Sequence, residues 1–274
     1  MTEALTRVED DYLIEGEIGR GRFGVVCRCI RRSTGDFLAI KSIDKKALID
    51  PLDAQCLLAE PKILSVLTSH PYILQLHDVI EDDLSLHIIT DLCAGGDLHS
   101  LISSLGRLLE TQARVVFSQI MLAVSHCHSF GVVHRDIKAE NILFESRGNA
   151  KLADFGSADL LGPDGGGLVG IVGTPFYVAP EVLLEHRYDK KADVWSAGVL
   201  LYVMLAGFYP FYGENAVEIF EAVMRGNLRF PTRTFNTVSS SAKDLLRKML
   251  CKDASRRLSA DQVIEHPWMR SMGA

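Results

Sequence analysis

The chain has 274 residues, of which 47% are hydrophobic and 23% are charged, and its formal net charge is −6. This composition is typical of a globular protein with enough apolar material for one large domain or two lobes. The mild acidity argues against nucleic acid and anionic membrane surfaces as main partners, and it suits a substrate that carries basic residues.

The sequence contains no pattern for export or membrane insertion. No basic segment followed by an apolar run stands near Met1, and the most apolar segment, 194–207, is shorter than the roughly 20 residues of a membrane-spanning helix.

The cysteines form neither a CxxC pair nor a metal-binding spacing with histidine. They are residues 27, 29, 56, 93, 127 and 251. We therefore expect a cytoplasmic protein with reduced thiols, and redox control through a pair of them is the alternative.

Residues 12–91 have the pattern of a mostly antiparallel β-sheet. Apolar and polar residues alternate in short runs, and turn residues such as those at 33–36 separate the runs. Strands are predicted at 12–14, 25–30, 37–41, 73–80 and 84–90.

One helix is predicted between the third and fourth of these strands, over 53–67. Its apolar residues recur at helical spacing, which turns them inward. They are Leu57, Leu58, Ile63, Leu64 and Leu67. Pro61 lies in the middle, and because a proline inside a helix costs about 3 kcal/mol, we expect a local bend or break there.

After residues 91–96 the pattern becomes helical. The helix predicted over 111–129 is amphipathic, and residues 192–206 are apolar on nearly every face, which predicts a buried central helix. The inward side of the first helix is expected to carry Val115, Val116, Ile120, Val124 and Cys127. Further helices are predicted at 215–225, from the cap residues 239–241 to 250, and from 259 to a stop at Pro267.

Residues 19–26 follow a G-x-G-x-x-G-x-V pattern. Glycines let the backbone approach phosphates closely and leave N–H groups free to bind them. Taken alone, the pattern fits a glycine-rich hairpin turn better. A dinucleotide-binding turn would lead into a helix, whereas a strand follows here, which argues against that function.

Lys41 ends the apolar strand 37–41. The position suits a cation that holds the α- and β-phosphates of a nucleotide and is itself held by a carboxylate on a helix. Glu60 is the only acid in the middle of the predicted helix and suits that role. A plain surface lysine is the alternative.

The stretch 134–156 contains two short apolar runs flanked by charged residues that have no packing role. Asp136 and Asn141, followed by Asp154 before Phe-Gly, form the arrangement that phosphoryl transfer needs. One carboxylate serves the hydroxyl nucleophile, and an amide and a second carboxylate bind magnesium.

With these motifs and three later segments, the chain resembles the eukaryotic protein kinases over residues 12–268. The later segments are Gly-Thr-Pro-x-Tyr-x-Ala-Pro-Glu at 173–181, Asp-Val-Trp-Ser-x-Gly at 193–198, and Arg257. The resemblance implies an α+β, bilobal fold. The N-lobe, 12–91, is an antiparallel β-sheet plus one helix, and the C-lobe, 92–268, is larger and mostly helical. Residues 1–11 and 269–274 are then short tails, and no regulatory domain is expected.

The resemblance also implies a role for each motif residue, with ATP and Mg²⁺ as cofactors. Asp136, Lys138 and Lys41 are the expected catalytic residues, and Asn141 and Asp154 are the expected magnesium ligands. The expected nucleotide-binding residues are Ile18, Gly19, Arg20, Gly21, Arg22, Phe23, Gly24, Val26, Ala39, Lys41, Glu60, Asp91, Cys93 and Asp97. The expected substrate-binding residues are Asp97, Glu140, Thr174 and Glu221.

Other positions are expected to support this site. Glu181 and Arg257 resemble the buried ion pair of the family, and Asp193 resembles the residue that holds the catalytic loop. Thr174 is expected to bond near Asp136 and Lys138. Ala139 departs from the family, which usually has proline there, and we expect little loss from it.

Lys138 resembles the serine/threonine class of these kinases. The second half of the chain resembles the calcium/calmodulin-dependent and plant calcium-dependent kinases. The chain contains no D-x-D-x-D-G loop, so we expect neither a calcium nor a calmodulin site in it.

Five stretches resemble the plant phosphoenolpyruvate carboxylase kinases: 60–62, 154–157, 178–181, 226–232 and 251–257. This resemblance implies phosphorylation of a serine near the N-terminus of phosphoenolpyruvate carboxylase, which relieves inhibition by malate. We expect a monomer with no nucleic-acid or membrane partner. A related kinase with another protein substrate is the first alternative, and a pseudokinase scaffold is the second.

The segment between Ser157 and Thr174 contains no Ser, Thr or Tyr. A segment that phosphorylation switches on needs a hydroxyl group to modify. We therefore expect a kinase that is active as synthesised, and we expect its glycine run, 165–167, to be mobile.

Overall fold

The first lobe contains a five-stranded antiparallel sheet. The structure, a computed structural model, describes residues 7–21, 24–47, 51–162 and 166–270, with the backbone alone at 21, 47 and 51–58. The strands lie in the order β1-β2-β3-β5-β4. Their bounds are β1 Tyr12–Gly21, β2 Gly24–Arg31, β3 Phe37–Asp44, β4 Leu76–Glu81 and β5 Ser85–Asp91. Helix α1, Val8–Asp11, precedes the sheet, and helix α2, Pro51–Val66, lies between β3 and β4.

The register of the sheet separates a core face from a cleft face. Lys41 lies opposite both Val26 and Ile88, and Ala39 lies opposite Thr90. Because side chains alternate between faces, residues 39 and 41 share one face, and Leu38 and Ile40 share the other. Those two pack in an apolar cluster whose other buried members are Val8, Tyr12, Cys29, Ile80 and Ile89.

The second lobe is mostly helical. Its helices are α3 Leu98–Leu105, α4 Glu110–Ser129, α5 Pro180–Leu183, α6 Lys191–Ala206, α7 Ala216–Arg225, α8 Thr232–Phe235, α9 Ser240–Met249, α10 Ala260–Ile264 and α11 Pro267–Arg270. Four short strands interrupt them: β6 Val132–Val133, β7 Ile142–Phe144, β8 Ala150–Leu152 and β9 Asp159–Leu160. β6 pairs with β9, and β7 pairs with β8, both antiparallel.

Helix α6 is the centre of this lobe. Every residue from 192 to 206 is buried, so its apolar composition on all faces is explained by packing on all faces. Gly198 brings α9 close, since a Cβ there would lie 3.0 Å from the Cβ of Met249. The helix ends at Gly207, whose φ of 78° is the left-handed conformation that favours glycine.

Helices α7, α9 and α10 begin at side-chain caps, and α9 begins at the cap residues predicted at 239–241. The Asn215 side chain accepts a hydrogen bond from the backbone of Glu218, and that of Ser239 accepts one from Ala242. Ser259 and Gln262 form a reciprocal capping box at the start of α10. Each cap satisfies a backbone N–H that the helix itself leaves unpaired, which fixes where the helix begins.

The structure departs from some of the expectations on the elements. α2 runs through Pro61, so a break there was wrong, while a bend stays a prediction; the loss of one backbone hydrogen bond leaves the bonds on either side in place. Val115 is 49% exposed, and the inward side of α4 is completed by Ala113, Phe117 and Met121. The helix predicted from 259 ends at Ile264, before Pro267 as expected, but Pro267 itself begins a further helix, α11, that was not predicted.

The inward side of α2 is formed by Ile63, Leu64 and Leu67, which are buried as expected, and the side chains of Leu57 and Leu58 lie outside the described residues. Among the helices of the described part of the chain, none combines the length and the apolar character needed to cross a membrane.

Candidate active site

The loop between β6 and β7 is held by one buried carboxylate. Asp193, at the start of α6, is fully buried, and its two oxygens accept the backbone N–H groups of His134 and Arg135, each at 2.9 Å. Nε2 of His128 lies 2.9 Å from the same carboxylate. Burial would raise the pKa of Asp193, but His128, His134 and the backbone hydrogen bond outweigh it and lower that pKa. The carboxylate therefore stays ionised and fixes the loop, as expected.

Asp136 lies at the centre of a polar group that the loop presents. Lys138 Nζ lies 2.6 Å from Oδ2 of Asp136, and the Thr174 hydroxyl donates to Oδ1 at 2.9 Å. Lys138 also donates to the Thr174 hydroxyl at 3.1 Å. The expected contact of Thr174 with both residues is thus present. Two donors orient the carboxylate, and a lysine places positive charge beside it.

Asn141 is buried beside Asp136. Its amide nitrogen donates to the backbone oxygen of Asp136 at 2.9 Å and contacts its carboxylate at 3.3 Å. Because the nitrogen is used in this way, the amide oxygen is the atom that remains to bind a cation.

The segment Asp154–Phe155–Gly156 is fixed against the loop. Asp154 has φ 62°, a left-handed conformation that is costly outside glycine and often found at functional sites. Phe155 is fully buried, and its ring meets the His134 ring edge-on at a centroid distance of 4.7 Å. Phe155 also belongs to the apolar cluster that contains Ile63 and Leu64 of α2. The position of α2 is therefore coupled to the position of Asp154.

The contact expected between Lys41 and Glu60 is present. Nζ of Lys41 lies 2.8 Å from Oε2 of Glu60, whose side chain is 8% exposed. Burial would lower the pKa of Lys41, but the charge and hydrogen bond of Glu60 and the charge of Asp154 raise it above its ordinary value. A cation held between two carboxylates near the cleft suits nucleotide phosphates.

The donor set fits a magnesium ion that nucleotide phosphates help to bind. Mg²⁺ in such sites takes one or two protein oxygens, phosphate oxygens and water. Asp154 and Asn141 offer one carboxylate and one amide oxygen. Over the residues that the structure describes, no group of three or more His, Cys, Asp or Glu side chains forms a complete protein-only metal site.

A cleft of about 500 Å³ lies beside two of the expected nucleotide-binding residues. It is lined by β1, β2 and the connection between the lobes, at Gly16, Glu17, Ile18, Arg28, Leu92, Cys93, Ala94 and Gly96. Of the expected nucleotide-binding residues, it brings together Ile18 and Cys93. A cleft with a partly apolar lining between two lobes is a common place for a small ligand.

The glycine pattern forms the β1–β2 hairpin. Gly19 and Gly21 end β1, Gly24 begins β2, and Arg22 and Phe23 lie outside the described residues. At Gly24 a Cβ would lie 2.1 Å from the Ser42 oxygen, so the close approach of β3 requires glycine there. At Gly19 a Cβ would meet only the Cβ of Val26, at 4.0 Å, so packing within the chain does not require glycine at this position.

The side chain of Arg20, the remaining β1 residue of the set, is paired with Glu17. The distance between Nη2 and Oε2 is 2.9 Å, and both side chains are exposed. Because the Arg20 side chain is used in this pair, the Arg20 backbone is the part of the residue that remains to face a nucleotide. Val26 and Ala39 lie on the cleft face with Lys41, because β2 pairs with β3 with Val26 opposite Lys41, and Ala39 lies two residues before Lys41 on β3.

Asp91, one of the expected nucleotide-binding residues, ends β5 where the lobes connect, and its side chain is used in contacts within the protein. Its oxygens lie 2.8 Å from Nε2 of His77 and 2.9 Å from Nζ of Lys151, and the backbone of Gln75 donates to it at 3.1 Å. Lys151 is buried and also faces Glu145 at 3.4 Å. Only the backbone of Asp91 remains for adenine. Sequence analysis did not identify Lys151, and a charged residue inside the apolar run before Asp154 was the available signal.

The expected substrate-binding acids lie on separate elements. Asp97 caps α3, accepting from the Ser100 backbone at 2.7 Å and its hydroxyl at 2.9 Å. Glu140 is exposed in the turn after Lys138, and Glu221 is exposed on α7, 3.5 Å from Arg225. Burial, Tyr209 and the charge of Glu140 raise the pKa of Tyr177, which places Glu140 near that ring. Their joint contact with a substrate stays a prediction.

A buried ion pair supports the lobe beneath this site. The Arg257 guanidinium is fully buried and contacts Glu181 with two nitrogens, at 2.5 and 2.9 Å. It also lies over the Trp195 ring, 5.1 Å from the centroid. The pair joins the segment after Thr174 to the end of the lobe, as the sequence predicts.

The cysteines described with their side chains are free thiols: 27, 29, 93, 127 and 251. Burial raises the pKa of Cys29 to about 11 and that of Cys93 to about 12. Both remain protonated at neutral pH, which makes them poor redox nucleophiles. The side chain of Cys56 lies outside the described residues.

Comparison with protein families gives one match over nearly the whole chain. A model of the protein kinase domain matches residues 12–269.

Among curated proteins, serine/threonine-protein kinase PEPKR2 of Arabidopsis thaliana is 42% identical over 263 residues, which cover 96% of this chain and 54% of that protein. Calcium-dependent protein kinase 29 of the same plant is 44% identical over 261 residues, 94% of this chain and 48% of its own. Calcium-dependent protein kinase 24 of Oryza sativa subsp. japonica is 41% identical over 265 residues, 96% and 51% of the two chains. The chain spans about half the length of these curated relatives.

Proposed function

The chain belongs to the protein kinase family, as a serine/threonine kinase of the plant calcium-dependent kinase-related group, and from this premise we propose that it is catalytically active and independent of calcium. Its proposed substrate is a serine near the N-terminus of phosphoenolpyruvate carboxylase, whose phosphorylation relieves inhibition by malate. The observation that carries the activity is the geometry around Asp136, with Lys138 at 2.6 Å and Thr174 at 2.9 Å.

The residues divide the work of phosphoryl transfer. Asp136 orients the substrate hydroxyl and accepts its proton, and Lys138 stabilises negative charge on the transferring group. Lys41, held by Glu60, binds the α- and β-phosphates. Asn141 and Asp154 would hold magnesium, which when bound neutralises charge on the phosphates.

The choice of substrate is supported by sequence. The stretches 60–62, 226–232 and 251–257 resemble the phosphoenolpyruvate carboxylase kinases. Calcium independence is supported by the lack of a D-x-D-x-D-G loop in these 274 residues. Exposed acids at Glu140 and Glu221 suit a substrate with basic residues before the serine.

Transfer of labelled phosphate from ATP tests the proposal. Wild-type chain should label phosphoenolpyruvate carboxylase equally with calcium or with a calcium chelator, and it should not label a variant in which the N-terminal serine is alanine. Asp136→Asn is the matched control, with a rate lower by about 10²–10⁴-fold.

The alternatives predict different results in the same assay. Labelling of a basic serine peptide but not of the carboxylase would indicate a related kinase with another protein substrate. Nucleotide binding without transfer to any acceptor would indicate a pseudokinase scaffold. Loss of labelling on removal of calcium would overturn the calcium-independent part of the proposal.

A further inference from the structure

Arg135 connects the catalytic loop to the segment that follows Asp154. It directly precedes Asp136, and its Nε donates to the Ser157 backbone oxygen at 2.5 Å. Its Nη2 lies 3.3 Å from Oδ2 of Asp159. The Arg135 side chain is 14% exposed, so most of its charge is removed from water and requires a nearby anion.

The fold places Asp159 at this position. β9 pairs antiparallel with β6, and Asp159 lies directly opposite Val133, two residues before Arg135. The other oxygen of Asp159 accepts the backbone N–H of Leu160 at 2.9 Å, which turns Oδ2 toward the guanidinium. The contact is thus set by strand register and by a local hydrogen bond.

In kinases that phosphorylation activates, a new phosphate in the activation segment pairs with arginine and orders the segment. Here no hydroxyl lies between Ser157 and Thr174, and Arg135 already has a carboxylate partner. We propose that Asp159 takes the place of an activating phosphate by holding Arg135, and through it the loop that carries Asp136, in the active arrangement. This inference rests on the proposed kinase activity and adds its regulation.

The far end of the same segment is held without a phosphate as well. Leu168 and Tyr188 exchange two backbone hydrogen bonds, at 2.8 and 3.0 Å. Gly173, at φ 107°, comes so close to the loop that a Cβ would lie 2.6 Å from the Arg135 oxygen. Thr174 then bonds Asp136. Arg135 is therefore enclosed by the segment on both its side-chain and its backbone side.

The test compares variants on a serine peptide with basic residues before the serine, using protein that mass spectrometry finds free of phosphate. Asp159→Asn keeps the shape and removes the charge. Its kcat should fall about three- to tenfold, because a half-exposed ion pair is lost, with KM for ATP unchanged. Asp159→Glu should recover most of the rate. Asp83→Asn, an exposed acid in the β4–β5 turn, is the matched control and should match wild type.

A double variant separates positioning through Arg135 from other effects. If Asp159 acts through Arg135, Asp159→Asn added to Arg135→Met should cost no further rate. Multiplying losses would overturn the proposal, and so would an Asp159→Asn variant as active as wild type, or a phosphate-free wild type that is inactive. Wild-type activity on the peptide but not on phosphoenolpyruvate carboxylase would refute only the proposed substrate and would leave this comparison intact.

Discussion

Lys41 is the residue whose charge depends most clearly on a single neighbour. It is largely buried, and burial alone would lower its pKa. Glu60 at 2.8 Å is the largest of the influences that raise it, followed by the charge of Asp154. Because the folded-state pKa is above its ordinary value, Lys41 is fully charged at neutral pH. The stabilisation from this charge is present below the unfolded pKa and is lost as pH rises through the folded pKa.

Glu60→Gln should therefore move the alkaline limit of the enzyme. Without the carboxylate, burial outweighs the remaining charge of Asp154, and the Lys41 pKa falls. We expect kcat/KM to decline at lower pH on the alkaline side than in wild type, and to be about 10-fold lower at neutral pH. A pH–rate profile measures both effects. Glu9→Gln, an exposed acid of the same lobe, should leave the profile unchanged, and an unshifted limit in Glu60→Gln would contradict the prediction.

At the residue scale, the sequence predicts best where function lies in contiguous motifs. Lys41, Asp136, Asn141 and Asp154 each stand in a short pattern with a chemical reason. The structure brings them close in pairs, since Asn141 donates to Asp136 and the charge of Asp154 acts on Lys41. Lys151 escapes this reasoning because its partner Asp91 is distant in the chain. Contacts of this kind depend on how strands from two lobes meet, which no local pattern records.

Among the elements, the segment 157–174 is the one whose order decides whether the site is complete. Gly167, the last residue of the glycine run, is closely packed, whereas Gly165 lies outside the described residues and the mobility of the run stays a prediction. A Cβ there would lie 2.9 Å from the Tyr188 backbone oxygen and 2.9 Å from the Arg187 Cβ. The backbone at Gly167 thus passes directly over residues 187 and 188. Only glycine allows that approach, which brings Leu168 into its hydrogen bonds with Tyr188.

Gly167→Val should release this segment from the lobe. The added side chain collides with backbone, which cannot move away as a flexible side chain would, so the Leu168–Tyr188 bonds break. We expect kcat on a peptide to fall about 10-fold and protease cleavage within 158–173 to become faster. Gly166→Ala is the matched control, since its Cβ would meet only the Arg187 guanidinium, at 3.7 Å. Equal cleavage of the two variants would contradict the prediction.

Elements with several turns or alternations were predicted well, and short ones were not. α4 and α6 were identified by their apolar spacing, and the five strands of the sheet by alternation. β6 to β9 have only two or three residues, too few for a period to be recognised. Val115 was misplaced because it lies two residues from both Ala113 and Phe117, which are buried, and residues two apart on a helix do not share a face.

The two lobes are joined by an ion network at the hinge. Asp91 ends β5 of the sheet lobe, and Lys151 lies in β8 of the helical lobe, three residues before Asp154. Backbone bonds run alongside, from Leu74 to Leu152 and from Leu152 to Tyr72, each at 2.9 Å. Burial would raise the pKa of Asp91, but His77, Lys151 and the Gln75 N–H outweigh burial and lower it. The network therefore fixes the N-lobe relative to the strand that leads to the metal site.

Asp91→Asn should destabilise the whole molecule because it leaves Lys151 buried with only Glu145 as an ionic partner. We expect a loss of about 3 kcal/mol at neutral pH in urea unfolding. A carboxylate with a lowered folded-state pKa contributes stability above its unfolded pKa, about 4, and loses it as pH falls through the folded pKa. The difference between variant and wild type should therefore shrink below about pH 4. Asp83→Asn, exposed on the same lobe, should show little difference at either pH. A difference in Asp91→Asn that stays constant with pH would mean that the side-chain charge of Asp91 does not hold the lobes together.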